Sequence, residues 1–437
     1  MDIAAELATV KAAVRETNAE PRSGWAWTAQ AYRASPTRAF PAGTGALTVD
    51  DGGMQALEAA MNALMGDQRV REKWLDDDLW TVVLSLLAAA KDNDTIDLDA
   101  AVRMVIKPRP VRIFAALANV TWEAGPVTVG GLTIAHLQTD DDAASLAKTL
   151  SLDAQETEVL ISHSQKQLKE LGDYVVATAA SARQGELAYE DFERCVEDLI
   201  GLTLMLSSRL GEHGIYSLRG ESNRPGIRGA TFDHGKLRDL IAQDGVGELR
   251  ARILRITSWD AGEHFRWQSA DPMQLDHLFD EELLPLLKDL LQAQDAIAQR
   301  LRVAARWYAR AFWSHAEDDA ALAVSVALDS MLTGKEAVPG AVSKGRFALL
   351  ERVPSARSAR FDRYEQVYQV RSAIAHGGDA TRRLAKIGGA RSILKDARWV
   401  AERLLDLRQI STPENDAAFR DLWAAVQWGS LPWAAPS

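Results

Sequence analysis

The chain has 437 residues, of which 47% are hydrophobic and 25% are charged, and its formal net charge is -11. This composition is that of an ordinary soluble protein with room for two or three domains. The single cysteine, Cys195, excludes an intrachain disulfide and a cysteine-rich zinc site, and the eight histidines are scattered without an HExxH motif. We therefore expect no bound metal and no cofactor.

The amino-terminal segment predicts a cytoplasmic protein. This segment is amphipathic and acidic, and it lacks the basic start and apolar centre of a secretion signal. The most apolar run of the chain, Leu79 to Ala90, is too short to cross a bilayer. We expect no membrane partner.

Apolar periodicity in the first 270 residues predicts a mixed α+β domain. Helical spacing covers Met1 to Thr17, Met54 to Met65, Val70 to Lys91, Asp141 to Leu171 and Glu186 to Leu210. Strand-like content covers Val111 to Val120, Val127 to Leu137 and Tyr174 to Ala179. The chain as a whole is predicted to be mainly α. Its predicted parts are a sensing or regulatory domain over residues 1–270, a helical domain over 275–410 and a C-terminal extension over 411–437.

The glycine-rich stretch Gly211 to Gly235 is the part of the first domain best suited to a ligand. Its glycines accompany three arginines and two histidines, so that backbone amides and guanidinium groups could meet a phosphate. The stretch matches no P-loop or dinucleotide fingerprint. An ordinary surface hairpin is the more common use of such a sequence.

Two helical segments of the second half each carry one charge among apolar residues. Ala320 to Gly334 is apolar almost all round, and its only charge is Asp329. In the helical run Phe361 to Ala375, Arg371 continues the apolar stripe of Tyr364 and its neighbours. A guanidinium in such a position is rarely buried without a partner, so we predict a buried ion pair between Arg371 and Asp329. The pair could be purely structural, or it could hold Arg371 for a function.

A histidine follows this arginine at the end of the same helical run. Gly377 and Gly378 predict a C-cap, which places His376 in the last turn. The negative end of the helix favours a protonated imidazole, whereas the neighbouring Arg371 opposes it. The ring could instead cap the last carbonyl groups of the helix.

The bare pattern of an arginine followed by a histidine is not specific by itself. It occurs at Arg228/His234, Arg310/His315 and Arg371/His376. Only the last copy is closed by two glycines and preceded by an apolar helix with a candidate carboxylate partner. We therefore select Arg371 and His376 as the candidate site.

Basic residues are concentrated around this candidate site. Between Ala341 and Ile410, fifteen lysines and arginines and seven acidic residues give a net charge of +8 in a chain whose total is -11. Such a region can attract RNA through counterion release. Solvated helix faces also carry arginines, and the acidic remainder of the chain could equally dock on the basic segment.

These segments resemble the HEPN superfamily, and in particular its ApeA-like branch. Ala327-Leu328-Asp329 is similar to the Ala-Leu-acid element of that branch. Tyr368-Gln-Val-Arg371-Ser372-Ala-Ile-Ala-His376-Gly377 is similar to its Tyr-x-Val-Arg-Ser-x-x-x-His-Gly signature. The resemblance covers roughly residues 280–410, less than a third of the chain.

The resemblance implies a helical bundle that pairs with a second copy, and a metal-independent endoribonuclease. By position, His376 would be the acid-base residue, Arg371 would stabilise phosphate charge and Asp329 would orient Arg371. We expect RNA to be bound by Ser372, Arg363, Arg382, Arg383 and Lys386. Gly378 stands where HEPN toxins silenced by nucleotidyl transfer have a tyrosine, so control by modification of that tyrosine is not expected.

The chemistry of RNA agrees with this expectation. A 2'-hydroxyl lies beside each phosphate, so an enzyme has only to position it, move protons and neutralise the developing charge. Histidine suits proton transfer near neutral pH, and arginine offers a charged fork to two phosphate oxygens. The products would be a 2',3'-cyclic phosphate and a 5'-hydroxyl.

The leading hypothesis is therefore a dimeric HEPN endoribonuclease, a toxin-like effector of phage defence with transfer RNA as one candidate substrate. An unidentified activator or antitoxin would control it. A second hypothesis is a non-catalytic HEPN adaptor that binds RNA or nucleotides. A third is a helical protein in which Arg371, Asp329 and His376 only stabilise the bundle.

Overall fold

The structure, a computed structural model, describes residues 2–17, 39–42, 45–92, 98–108, 110–171, 174–208, 226–227, 253–254, 273–279, 281–314, 316–333 and 339–433. The described part of the chain is mainly helical with a small sheet region, which confirms the predicted fold class at that level. The glycine-rich stretch Gly211 to Gly235 lies outside the described residues except for 226–227, so its predicted ligand role stays a prediction.

The described residues of the first part form five helices and a three-stranded antiparallel sheet. The helices are α1 (Ile3–Ala13), α2 (Asp51–Gly66), α3 (Gln68–Arg71), α4 (Asp76–Asp92) and α5 (Leu98–Ile106). The strands are β1 (Val14–Thr17), β2 (Ala39–Ala42) and β3 (Gly45–Val49), in the order β1-β3-β2. The buried apolar residues of this part form a core of their own between Ala4 and Val105.

The second part is built around a mixed sheet flanked by helices. Its strands are β4 (Val111–Ala118), β5 (Val120–Thr121), β6 (Val127–Val129), β7 (Leu132–Leu137), β8 (Tyr174–Ser181), β9 (Gly226–Ile227), β10 (Ile253–Leu254) and β11 (Met273–Gln274). The main sheet has the order β10-β4-β8-β7-β6, with β9 also on β4, while β11 pairs with β5. Its helices are α6 (Asp140–Thr149), α7 (Ala154–Leu171) and α8 (Gly185–Leu206). Strand β8 is buried along most of its length because it lies in the middle of the sheet.

The remaining described chain is helical. It comprises α9 (Leu283–Gln292), α10 (Ala296–Trp313), α11 (Glu317–Leu332), α12 (Pro339–Leu349), α13 (Arg357–Ala375), α14 (Ala380–Ile387), α15 (Gly389–Ile410) and α16 (Asp416–Gln427). Helices α10 and α11 pack against each other and against α15. Helix α16 belongs to the segment that the sequence assigns to a C-terminal extension, and its Phe419 and Trp423 are buried in the same core.

The sheet of the second part and the C-terminal helices share one continuous hydrophobic core. Helix α8 lies so close to α10 that a Cβ atom on Gly201 would come within 2.5 Å of the Ala305 carbonyl oxygen. Arg398 on α15 also donates a hydrogen bond of 2.7 Å to the Ser207 carbonyl after α8. Along the chain, the residues of the first core end at Val105 and those of the second begin at Val111. The domain boundary predicted near residue 270 adjoins residues 255–272, which are outside the described ones, and it stays a prediction.

Among the described residues, no helix combines the length and the apolar composition needed to cross a membrane.

Candidate functional site

Asp329 is the centre of the candidate site. Helix α11 is buried on almost every side, and Asp329 lies in its last turn. Its Oδ1 atom accepts hydrogen bonds from the Tyr364 hydroxyl at 2.6 Å and from the Ser343 hydroxyl at 3.1 Å. Its Oδ2 atom accepts a hydrogen bond from the Arg371 guanidinium. Three side chains from α12 and α13 therefore converge on one carboxylate.

The ion pair between Arg371 and Asp329 confirms the pairing predicted from the sequence. It is less buried than predicted, because the Asp329 side chain is 17% exposed and the Arg371 side chain is 36% exposed. The reason is the position of Arg371 at the border of the buried face of α13, which consists of Tyr364, Val367, Val370 and Ala373. The guanidinium can therefore be held by the protein and still reach solvent.

Tyr364 is a fixed hydrogen-bond donor to this carboxylate. The residue is only 3% exposed. Burial, together with the nearby negative charge of Asp329, raises the pKa of the Tyr364 hydroxyl above its ordinary value. The hydroxyl thus keeps its proton and donates a hydrogen bond to Oδ1 of Asp329, which leaves Oδ2 to Arg371.

Arginines also hold the end of α11 on which Asp329 lies. Arg346 is buried and donates a hydrogen bond of 2.7 Å to the Leu332 carbonyl. Arg300 donates to the carbonyl groups of Ser330 and Thr333, and it pairs with Asp416 on α16 at 2.7 Å. These bonds occupy carbonyls that the helix itself leaves unpaired at its C-terminus. They fix the last turn of α11.

The glycines after α13 form the predicted C-cap. His376 ends the helix, and its backbone N–H donates to the Ser372 carbonyl at 3.0 Å. Gly377 has a φ of +70°, and the Gly378 N–H donates to the Ala373 carbonyl at 2.7 Å. This is the Schellman arrangement, which requires a left-handed residue at the position of Gly377.

The imidazole of His376 is exposed at this helix end. Its ring makes no hydrogen bond to any residue that the structure describes, so the alternative in which the ring caps the last carbonyls is not observed. His376 follows Arg371 by five positions, and at about 100° per residue the two side chains leave the helix about 140° apart. Within one chain, the arginine and the histidine therefore do not share a helix face.

Three of the predicted RNA-binding residues form an exposed basic surface on α14. These are Arg382, Arg383 and Lys386. The Arg383 guanidinium donates to the Gln369 side chain on α13 at 3.0 Å, which ties the two helices together beside the site. Ser372 is half-buried on α13.

Arg363 has a different environment from the other predicted RNA-binding residues. Its guanidinium donates to Asp396 and Ser392, both at 2.8 Å, and to the Ile387 carbonyl at 3.3 Å. Its side chain is only 18% exposed. These contacts join α13 to α14 and α15 around the site, and the predicted binding of RNA by Arg363 stays a prediction.

Sequence reasoning did not find Ser343 and Tyr364 as partners of Asp329. The signal for Tyr364 was present, since it lies seven residues before Arg371 and hence on the same side of the helix. Ser343 had no comparable signal, because only the folding of α12 against α11 brings it to the carboxylate.

Comparison with protein-family models, with curated proteins and with solved structures finds no match to the chain. Among the described residues, no cluster of three or more histidine, cysteine, aspartate or glutamate side chains could hold a metal ion.

Proposed function

We propose that this protein is a metal-independent endoribonuclease of the HEPN type, with its site at Arg371 and His376. The observation that supports the proposal best is the combination at Asp329: the carboxylate orients a guanidinium that remains partly exposed, and an exposed imidazole ends the same helix.

The proposed reaction uses the RNA's own nucleophile. The 2'-oxygen loses its proton and forms a bond to phosphorus, the bond from phosphorus to the 5'-oxygen breaks, and the 5'-oxygen takes up a proton. His376 transfers a proton in this step, and Arg371 stabilises the charge on the phosphorane oxygens. The products are a 2',3'-cyclic phosphate and a 5'-hydroxyl, and DNA is not cut because it lacks the 2'-hydroxyl.

Asp329 acts as a positioning residue in this proposal. A guanidinium presents its donors in a rigid plane, so the carboxylate that binds one nitrogen also sets the direction of the others. The contacts of Arg300 and Arg346 with the end of α11 keep that carboxylate in place. Such a fixed orientation lowers the cost of arranging the charge around the transition state.

Two copies of the chain form the complete site in this proposal. The angle of about 140° between the directions of Arg371 and His376 disfavours contact of both side chains with one phosphate from a single chain. Pairing of the C-terminal helices about a twofold axis would bring each motif to a shared cleft. The protein would then be a cytoplasmic, toxin-like effector of phage defence, controlled by its amino-terminal part or by a separate activator or antitoxin.

The second candidate is an RNA-binding adaptor without catalysis. The same angular separation favours it, as does the exposed basic surface of Arg382, Arg383 and Lys386, which needs no histidine to bind phosphate. Cleavage distinguishes the two functions.

The test is incubation of the purified protein with total RNA in EDTA, followed by analysis of the RNA ends. The proposal expects cyclic phosphate ends with wild type and none with His376→Ala or Arg371→Ala. Arg310→Ala is the matched control, because it removes an exposed arginine from the second copy of the pattern. Tight RNA binding without any cutting would support the adaptor instead.

A further inference from the structure

Helix α13 exposes two aromatic side chains on its outer face. Phe361 is 42% exposed and Tyr368 is 40% exposed, although large hydrophobic residues are normally buried in a helix of this kind. The two residues are seven positions apart, which places them on one face about 10 Å apart along the axis. Tyr368 lies one turn before Arg371 and Ser372, so the two aromatic side chains are next to the proposed phosphate site on the helix surface.

The ring of Tyr368 is seated against the neighbouring helix. A Cβ atom on Gly340 would lie 2.8 Å from the tyrosine Cε2 atom and 3.2 Å from Cζ. Glycine at this position of α12 therefore lets the ring approach the backbone closely. The ring is held in place and still open to solvent, as a platform for a flat ligand requires.

A lysine lies between the two rings. The Lys344 Nζ atom is 5.5 Å from the centroid of Phe361 and 5.9 Å from that of Tyr368. The acidic residue on this face, Glu365, accepts hydrogen bonds from Lys344 at 2.5 Å and from Gln369 at 3.1 Å. Lys344 and Glu365 therefore compensate each other's charge, and the face offers its aromatic rings to a ligand.

We propose that Tyr368 and Phe361 form a stacking subsite for unpaired nucleobases beside the phosphate site at Arg371. This inference rests on the proposed function in taking RNA as the ligand. Aromatic rings stack on the faces of bases whatever their sequence, while nearby cations follow the backbone. Arg383 on α14 supplies such a cation, because it is exposed and its guanidinium donates to Gln369, the residue next to Tyr368.

The base must be unpaired because a duplex buries the faces of its bases in its own stack. Exposed aromatic residues can also form a contact between two protein copies. RNA is the occupant proposed here because the region from Ala341 to Ile410 has a net charge of +8, which attracts a polyanion.

The test measures binding of an RNA in which every 2'-hydroxyl is methylated, so that cleavage does not interfere. The RNA is offered as a single strand and as a hairpin duplex of the same composition. The proposal expects Tyr368→Leu and Phe361→Leu each to weaken binding of the single strand on the order of tenfold, with little change for the duplex. Tyr368→Phe, which keeps a ring, should bind nearly as well as wild type.

Trp428→Leu is the matched control, because this tryptophan is 79% exposed and follows α16, outside the sequence signature. An unchanged affinity of Tyr368→Leu, an equal loss for single strand and duplex, or an equal loss in the control would each overturn the subsite. Sedimentation at the same concentration provides a further check, and conversion of a dimer into a monomer by Tyr368→Leu would assign the face to a protein contact.

If wild type cuts RNA but Tyr368→Leu binds like wild type, only the subsite fails. If wild type neither binds nor cuts any RNA, the proposed function fails with it.

Discussion

The three hydrogen bonds to Asp329 predict unequal costs for removing its partners. Arg371→Ala removes one charge-assisted hydrogen bond, which is worth about 1.5 to 3 kcal/mol. Asp329 still accepts from Tyr364 and Ser343 and remains 17% exposed, so its charge is not stranded. We expect a loss in the free energy of unfolding near the lower end of that range.

Asp329→Ala should cost more than Arg371→Ala. It removes the same bond to Arg371 and also leaves the buried Tyr364 hydroxyl without its acceptor, which adds about 1 to 3 kcal/mol. The expected total is about 3 to 5 kcal/mol, the range found when one partner of a buried pair is removed. Tyr364→Phe, which keeps the ring and removes only the hydroxyl, should cost about 1 kcal/mol.

Urea unfolding of the three variants, followed by circular dichroism at constant pH, measures these differences. Equal m-values would show that the substitutions change stability without changing the compactness of the unfolded state. Arg371→Ala as costly as Asp329→Ala would refute the reasoning, since it would mean that the arginine is the principal structural partner of the carboxylate. RNA cleavage by Arg371→Ala should be lost even though the fold is retained.

Three further predictions concern stability. Burial raises the pKa of Asp198 to about 6 despite Arg306 at 3.2 Å, so the folded state binds the proton more tightly than the unfolded state. Relative to Asp198→Asn, the wild type should therefore lose about 2 kcal/mol of stability as the pH rises from 4 to 7, and a constant difference would contradict this assignment. Gly377→Ala should cost about 1 to 2 kcal/mol in thermal unfolding because of its left-handed backbone, whereas Gly345→Ala, inside α12 with open space around it, should cost nothing or stabilise. Trp433→Ala should cost about 3 to 5 kcal/mol because this tryptophan is buried and its indole N–H donates to the Leu349 carbonyl at 2.8 Å, while Trp428→Ala should change stability by less than about 0.5 kcal/mol.

Apolar periodicity in the sequence predicted many of the helices and strands. The strands β4 and β8 and the helices α8, α11 and α13 lie within a few residues of the predicted segments. The predicted strand from Val127 to Leu137 is in fact a hairpin of β6 and β7, because Gly130 and Gly131 both have a positive φ and form the turn. The predicted helix from Val70 to Lys91 is likewise divided between α3 and α4. The predicted helix from Asp141 to Leu171 is in fact two helices, separated near Ser151, which has a φ of +54°. The signal for this break was the Asp153 and Glu156 pair, which forms reciprocal hydrogen bonds at the start of α7.

Other features depend on contacts between distant segments. Val14–Thr17 falls within the helix predicted from Met1 to Thr17, yet it forms a strand because it pairs with β3. Arg363 and Arg383 are both basic residues near the signature, but Asp396, thirty-three positions away, binds only the first of them. Sequence patterns identified Arg371, Asp329 and the end of α13, whereas the fold decides which neighbouring side chains hold them.

The central claim is that Arg371 and His376 act together on a ribose phosphate. Its most direct measurement is sequencing of the RNA ends produced by wild type and by His376→Ala in EDTA, with the fold of the variant checked by its melting temperature. The account predicts 2',3'-cyclic phosphate ends from wild type and none from an equally stable His376→Ala. Undiminished cleavage by His376→Ala, or intact RNA with both proteins under every condition tried, would contradict it.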